Sequence, residues 1–175
     1  STAVYPAIWS FYTLEQFSWS TAMIGASLTL YGISLVCVQG GLVKPIISKL
    51  GEPGAVKLGF IFAVVVLVSI GLVSNENTLL VLIPFAALGA VGETALKAIA
   101  SQSVEEDSQG VLQGALSSLT AISMISTPPV MSSIFTQFIQ PGSVVYLPGA
   151  PFILSAILLF CALLIFIRIS SGKRE

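Results

Sequence analysis

The sequence predicts an all-α membrane protein: a polytopic bundle of six transmembrane segments, of which the first is incomplete. Of its 175 residues, 55% are hydrophobic and only 9% are charged, and the mean hydropathy is +0.97. A soluble domain carries roughly 25% charged residues, so this chain cannot cover a globule with polar surface. Long apolar stretches also recur between short polar links. Lipid is therefore the expected solvent.

The predicted segments follow these apolar stretches. A spanning helix needs roughly 20 predominantly apolar residues. The second to sixth segments are expected at residues 21–43, 55–73, 78–101, 109–138 and 152–169. The first stretch, residues 3–17, is too short to span and is interpreted as the outer half of a helix whose beginning is missing.

A link rich in glycine and proline, residues 39–59, joins the second and third segments. Its sequence is QGGLVKPIISKLGEPGAVKLG. Pro45 and Pro53 are expected to stop a regular helix, and Gly51 and Gly54 to permit the chain to reverse. The link is therefore predicted to be a turn at the membrane surface.

Positive charges are confined to alternate links. The 7 basic residues are Lys44, Lys49, Lys57, Lys97, Arg168, Lys173 and Arg174. They flank the link after the second segment, lie near the end of the fourth, and lie at or beyond the end of the sixth, whereas the links around Glu15, Glu76 and Gln140 contain no Lys or Arg. Cytoplasmic loops carry an excess of Lys and Arg. The links after the second and fourth segments, and the C-terminus, are therefore predicted to be cytoplasmic.

The composition argues against several function classes. Histidine is absent, which removes the usual neutral-pH base and the commonest metal ligand. The sequence has no nucleophile–base pair, metal cluster or phosphate-binding loop, so we expect neither an enzyme nor a cofactor. It also has no basic patch that would indicate a nucleic-acid partner. Cys37 and Cys161 lie in apolar stretches and are interpreted as small hydrophobic residues rather than a disulfide.

One acidic residue lies inside an apolar segment. Glu93 falls in the fourth segment, with Ala86, Gly89, Ala90 and Lys97 on the same helical face. An intramembrane carboxylate is costly and normally faces the bundle interior or a water-filled cavity. This favours a role in binding and releasing a proton. The alternative, equally weighted, is that Glu93 pairs with Lys97 four residues on as a structural lock.

Other polar and small residues suggest helix contacts. Gln39 could line a cavity with Glu93 and Lys97, or more commonly bond a neighbouring helix. Small residues recur every four positions in the fifth segment and are expected to pack it closely against Gly25 and Gly32 of the second. These residues are Gly110, Gly114 and Ser118. A break at Pro128 and Pro129 is expected to bend the same segment.

Four stretches together resemble motifs of one family of membrane transporters. They are residues 17–25 (FSWSTAMIG), Gln39 with residues 41–52 (GLVKPIISKLGE), residues 100–104 (ASQSV) with 109–120 (QGVLQGALSSLT), and residues 147–152 (LPGAPF). They are similar to the second half of tetracycline/proton antiporters and related drug-efflux members of the major facilitator superfamily. The QGVLQG stretch is the most specific of them.

The resemblance implies a fold, a function and partners. It implies the C-terminal half of such a transporter, built from inverted repeats and working with an N-terminal half in a bacterial inner membrane. The implied function is proton-coupled export of a small amphipathic compound by alternating access. In the family the cytoplasmic loop latches one conformation, which makes a set of residues candidates for a gate: Gly41, Lys44, Lys49, Gly51 and Glu52.

Two departures from the family keep a second function open. Its drug-specific members carry an acid in the helix that matches the third segment, where residues 60–65 here read FIFAVV. They can also carry a histidine in the second segment, where Ser34 and Leu35 stand. The alternative is a non-transporting membrane subunit with a structural or assembly role among other membrane subunits. In both cases the lipid bilayer is the expected surrounding.

Overall fold

The computed structural model describes residues 4–143 and 145–172, and these are almost entirely α-helical. The helices are α1 (Val4–Phe17), α2 (Thr21–Cys37), α3 (Val43–Leu72), α4 (Glu76–Ala86), α5 (Gly89–Gln102), α6 (Gln109–Ile139) and α7 (Ala150–Gly172). A π-helical stretch, Val38–Leu42, joins α2 to α3, and a 3-10 turn, Glu106–Ser108, precedes α6. The described ranges contain no strand, which confirms the all-α class. Lys173 and Arg174 lie outside the described residues.

Within the residues that the structure describes, three stretches are long and apolar enough to cross a membrane. They are Thr21–Leu72, Glu76–Gln102 and Ala150–Ser170. The first has 52 residues and includes a break at Gly51, so it is long enough for the two crossings predicted there. Helix α6 has 31 residues, but nine Ser and Thr side chains lower its hydropathy.

Long-range polar contacts define two ends of the bundle. At one end, called here the Glu52 end, Gln102 donates to the Glu52 carboxylate at 2.5 Å. At the other, the Glu76 end, the Trp19 indole N–H donates to Glu76 at 3.3 Å and the Tyr146 hydroxyl donates to Glu15 at 3.0 Å.

The positive charges and the acids of the opposite links lie at different ends. A cluster of apolar side chains near the Glu52 end includes Val43, Ala55 and Phe166, and therefore brings the last part of α7 to the basic residues of α3. Lys97 lies on α5 between Glu93 and Gln102. The predicted partition of charge thus matches the two ends; that the Glu52 end is cytoplasmic remains a prediction.

The predicted turn at residues 39–59 is wrong in its boundaries. The chain stays helical through Pro45, because α3 begins at Val43 and a proline is best tolerated in the first turn of a helix. The helical path breaks instead at Gly51, where φ is 68° and ψ is 168°. That backbone conformation is essentially open only to glycine. Only one of the expected turn glycines, Gly51, therefore has non-helical dihedral angles.

The fourth predicted segment divides into α4 and α5. Pro84 has no N–H. After it, two main-chain hydrogen bonds span three residues instead of the four of an α-helix: the Ala87 N–H donates to the Pro84 carbonyl at 3.2 Å, and the Leu88 N–H donates to the Phe85 carbonyl at 3.1 Å. These bonds tighten the backbone towards 3-10 geometry, which often marks a hinge when it occurs within a span. Gly89 follows directly, so this tightened turn precedes the first residues of α5.

Helix α6 runs through the two prolines at which an interruption was predicted. Pro128 and Pro129 both lie inside the continuous helix Gln109–Ile139. A proline fixes φ near the helical value, so it removes a main-chain donor without forcing the helix to end. The carbonyls of Met124 and Ile125 lose their usual i+4 partners, and both residues lie on an exposed part of α6.

The closest helix contacts are made by glycines of α3. A Cβ built on Gly59 would collide with the main chain of Gly92 in α5. A Cβ on Gly149, just before α7, would collide with the main chain of Gly71. In each pair two backbones touch, which only glycine permits. These contacts bring α3 against both α5 and α7.

The predicted packing of the second and fifth segments is wrong within the described residues. A Cβ at Gly25, Gly32, Gly110 or Gly114 would have no neighbouring atom within 4 Å. Helix α6 packs instead against α1 and α7 through its last third, where Met131 and Phe135 are buried. Its first two thirds, including Ser118 and Pro128, are largely exposed.

Helix α1 is held by two buried hydrogen bonds. The Trp9 indole N–H donates to the Ser27 hydroxyl on α2 at 2.9 Å. The Tyr12 hydroxyl donates to the Ile70 carbonyl on α3 at 2.6 Å. Since Ile70 is near the end of α3, its carbonyl is one of those that a helix leaves without an internal partner. These bonds fix the position from which Tyr5 projects.

Candidate functional site

Glu93 lies on the wall of a cavity between the helices. The cavity has a volume of about 190 Å³ and is lined by Tyr5, Tyr31, Phe60, Ala63, Leu67, Ala86, Gly89, Ala90, Glu93 and Leu159. The list includes Ala86, Gly89 and Ala90, the small residues that were predicted to share the face of Glu93. Lys97, which was predicted on the same face, does not line this cavity, so the small residues and Glu93 share the cavity without Lys97.

A second and larger cavity shares Glu93 with the first. It has a volume of about 720 Å³ and opens between α5, α6 and the first described turn of α1. Four hydroxyl residues of α6 line it: Thr120, Ser123, Ser126 and Thr127. The hydroxyls of Thr120, Ser123 and Ser126 each donate to a carbonyl of their own helix, at 2.8–2.9 Å. The α6 side of this cavity therefore carries hydroxyl groups among mainly apolar side chains.

Glu93 forms an ion pair with Lys97. The Lys97 ammonium lies 2.8 Å from the Glu93 carboxylate, at the i, i+4 spacing expected from the sequence. The Glu93 side chain is 44% exposed and that of Lys97 is 58% exposed. An exposed pair of this kind contributes only about 0–1 kcal/mol to stability. Because the Glu93 side chain is 44% exposed, its carboxylate is accessible to water and to a ligand although it is paired with Lys97.

Two tyrosines that were not predicted as site residues, Tyr5 and Tyr31, also line the smaller cavity. The rings of Tyr5 and Tyr31 stack, with centroids 5.6 Å apart and planes at 26°. Tyr31 stands in the middle of an apolar segment, whereas tyrosines in membrane proteins prefer the interfaces. The position of Tyr31 in the sequence could therefore have identified it as a candidate site residue. The position of Tyr5 could not, because its contact with Tyr31 depends on how α1 crosses α2.

Gln39 is not among the residues that line these cavities, and neither is Lys97. Gln39 and Gly41 are exposed residues of the π-helical stretch. A π-helical turn contains one residue more than an α-helical turn, and such turns are frequently found at functional sites. The expectation that Gln39 lines the same cavity as Glu93 is therefore not met, and its role remains a prediction.

The predicted gate residues lie around the break in α3. Lys44 and Lys49 are exposed on the two turns before it, and Gly51 is the break itself. Glu52 accepts the hydrogen bond from Gln102, at the end of α5. Glu52 and Glu93 thus belong to separate sites. Glu93 is a residue of α5, and Glu52 is hydrogen-bonded to Gln102 at the end of the same helix.

The chain is similar to several curated proteins that are all named tetracycline resistance proteins. It is 30% identical over 129 residues to the class C tetracycline resistance protein of Escherichia coli, covering 74% of the chain and 33% of that relative. It is 31% identical over 130 residues to the class G protein of Vibrio anguillarum, covering 74% of the chain and 33% of the relative. With the class H protein of Pasteurella multocida it shares 30% identity over 151 residues, covering 86% and 36%.

The chain is a homologue of the tetracycline resistance proteins. The predicted resemblance to the tetracycline-efflux group of the major facilitator superfamily is thereby confirmed. The chain spans about a third of the length of the curated relatives it matches. No family model matches it, and no solved structure is similar to it.

The homology agrees with the apolar helices. Together they make the chain a multi-pass membrane protein, as its composition predicted. The relatives come from bacteria, which agrees with the expected location in a bacterial inner membrane.

Proposed function

We propose that the chain forms one half of a proton-coupled efflux transporter, which exports small amphipathic compounds by alternating access together with an N-terminal half. The observation that carries the proposal is the position of Glu93, an accessible carboxylate within the Glu76–Gln102 span that lines two cavities. Carboxylates at such depth in a bundle mark substrate and proton pathways. Transport is also the activity that the names of the relatives suggest.

The part assigned to Glu93 is to carry the proton. When the carboxylate is charged, it attracts Lys97 and any cationic group in the cavities. When it takes up a proton, it loses that attraction, and Lys97 is released. Binding and release of one proton therefore changes the contacts of α5 next to the tightened turn at residues 87–88. A coupled transporter needs such a link between protonation and helix movement.

The first compound to test is tetracycline, because the relatives are named for resistance to it. Cells that express the complete reading frame should accumulate less tetracycline or ethidium than control cells. A proton uncoupler should abolish the difference. We expect Glu93→Gln to abolish it as well, and Glu105→Gln, which makes the same change in an exposed link, to preserve it. Full efflux by Glu93→Gln would contradict the coupling role.

The ion pair supports a second candidate, a non-transporting subunit in which Glu93 and Lys97 lock α5. In that case Glu93→Gln should lower stability, since Lys97 loses its partner, by no more than the roughly 1 kcal/mol that an exposed pair contributes, and replacing both residues by leucine should cause no further loss. A transporter with a proton-carrying Glu93 predicts instead that the double variant is stable but inactive. Measuring efflux and thermal stability on the same two variants separates the candidates.

A further inference from the structure

The last part of the link between α6 and α7 packs against the end of α3. The Leu147 N–H donates to the Phe138 carbonyl at 3.1 Å, which turns the link back along the last turn of α6. Gly149 is buried, and its main chain touches that of Gly71 near the end of α3. Residues 146–149 are called here the outer strap, because they lie at the Glu76 end, which is predicted to face outside. The outer strap is therefore anchored on α3 and α6.

One hydrogen bond ties the outer strap to helix α1. The Tyr146 hydroxyl donates to the Glu15 carboxylate, in the last turn of α1, at 3.0 Å. Desolvation and, after it, the bond to Glu15 and the charge of that carboxylate raise the pKa of Tyr146, so the hydroxyl keeps the proton that it donates. Both side chains are exposed. An exposed hydrogen bond exchanges readily with bonds to water, so this contact opens at little cost in free energy.

A cavity of about 210 Å³ lies between the outer strap, α1 and α3. Its lining consists of strap residues 146–149, residues 71–74 at the end of α3, and Tyr12 and Gln16 of α1. Glu93 is not among them, so this space is separate from the candidate site. Side chains that line a void have no partner atoms on that side. The last turn of α1 therefore loses few contacts when it moves away from the strap.

This cavity continues a row of spaces along α1. A space of about 20 Å³ shares three lining residues with the 190 Å³ cavity: Tyr5, Tyr31 and Ala86. The same small space is lined by Ile70, next to Gly71, which lines the cavity at the strap. The bond from the Tyr12 hydroxyl to the Ile70 carbonyl joins the walls of these two spaces. The row thus leads from the candidate site towards the Glu76 end, and its middle space has room for about one water.

We propose that the hydrogen bond between Tyr146 and Glu15 is the latch of an outer gate, which holds the last turn of α1 against the outer strap and closes this row of cavities towards the outside. The proposal rests on the proposed transport function, because alternating access requires the outer end to open. The strap is the fixed side of the gate, since Gly149 rests on the main chain of α3. The last turn of α1 is the moving side. The structure is then the state in which the outer end is closed.

The reactivity of a cysteine in the cavity at the strap measures the closure. Val73 lines this cavity and is half-buried. The complete protein, with its native cysteines replaced and with Val73→Cys, is treated in detergent with a thiol reagent. Tyr146→Phe keeps the ring but removes the donor, and should speed the reaction about two- to tenfold, the change in an equilibrium that one net hydrogen bond produces. Glu15→Ala should have the same effect, and Glu105→Ala, the same change in a link at the Glu52 end, should have none.

The two latch residues should act as a unit. A protein with both Tyr146→Phe and Glu15→Ala should react no faster than either single variant, because each change alone breaks the bond. Unchanged reaction rates in the two monodisperse single variants would overturn the latch. A double variant whose acceleration is the product of the two single effects would overturn it as well, since the residues would then act separately.

Cross-linking tests whether the outer gate must open for export. Cysteines placed at Glu15 and Tyr146 are joined by a reducible bifunctional thiol reagent in cells that express the complete protein. Tetracycline efflux should stop when the cross-link forms and return when it is reduced. Full efflux by the cross-linked protein would overturn the gate and leave the transporter intact. A parent protein without any efflux would contradict the proposed function, and the labelling rates would still decide whether the latch exists.

Discussion

Replacing Gly59 by alanine should destabilise the bundle, because α3 and α5 touch there through their main chains. The added Cβ would overlap the backbone nitrogen and Cα of Gly92, and also lie 3.3 Å from the Val91 carbonyl carbon. Main-chain atoms cannot move aside as a side chain can. Overpacking of a tight contact typically costs about 1–3 kcal/mol. Against this, alanine in place of a helical glycine gains at most about 1 kcal/mol.

Gly114→Ala is the matched control. Gly114 also lies inside a helix, but a Cβ there would meet nothing within 4 Å. The same substitution should therefore be neutral or stabilise the protein by up to about 1 kcal/mol. The midpoint of thermal aggregation, followed by size-exclusion chromatography in detergent, compares the two variants. The reasoning is refuted if Gly59→Ala is as stable as Gly114→Ala.

Three further predictions concern other parts of the fold. Tyr12→Phe removes the buried hydrogen bond to the Ile70 carbonyl and should lower the free energy of unfolding by about 1–3 kcal/mol; an unchanged thermal midpoint would contradict this. Gly51→Ala forces a side chain into a backbone conformation that suits glycine and should cost about 1–3 kcal/mol; a midpoint equal to that of the parent protein would show that the break is relaxed. A cysteine placed at Glu76 should react with an impermeant reagent added outside intact cells, and one at Lys49 should not; the reverse pattern would invert the topology.

The sequence was sufficient for features that depend on local composition. Apolar stretches predicted the helices, and the Lys and Arg pattern predicted which end of the bundle is cytoplasmic, which stays a prediction. Glu93 was identified because a carboxylate within an apolar stretch needs an explanation. Its i, i+4 pairing with Lys97 follows from helix geometry alone and is present.

Features that depend on which helices meet were not predictable in the same way. Gly59 and Gly92 look no different in sequence from Gly110 and Gly114, but only the first two face another backbone. The contact between the Tyr5 and Tyr31 rings forms only because α1 crosses α2. The break at Gly51 was one of several possibilities in a link with many glycines and prolines, and the dihedral angles decide between them.

Proton movement by the reconstituted protein tests the central claim most directly. The complete protein is placed in liposomes with a pH-sensitive dye inside and exposed to tetracycline. We predict that substrate uptake is accompanied by a pH change in the parent protein and in Glu105→Gln, and that Glu93→Gln abolishes the pH change. An undiminished pH change with Glu93→Gln would contradict the account.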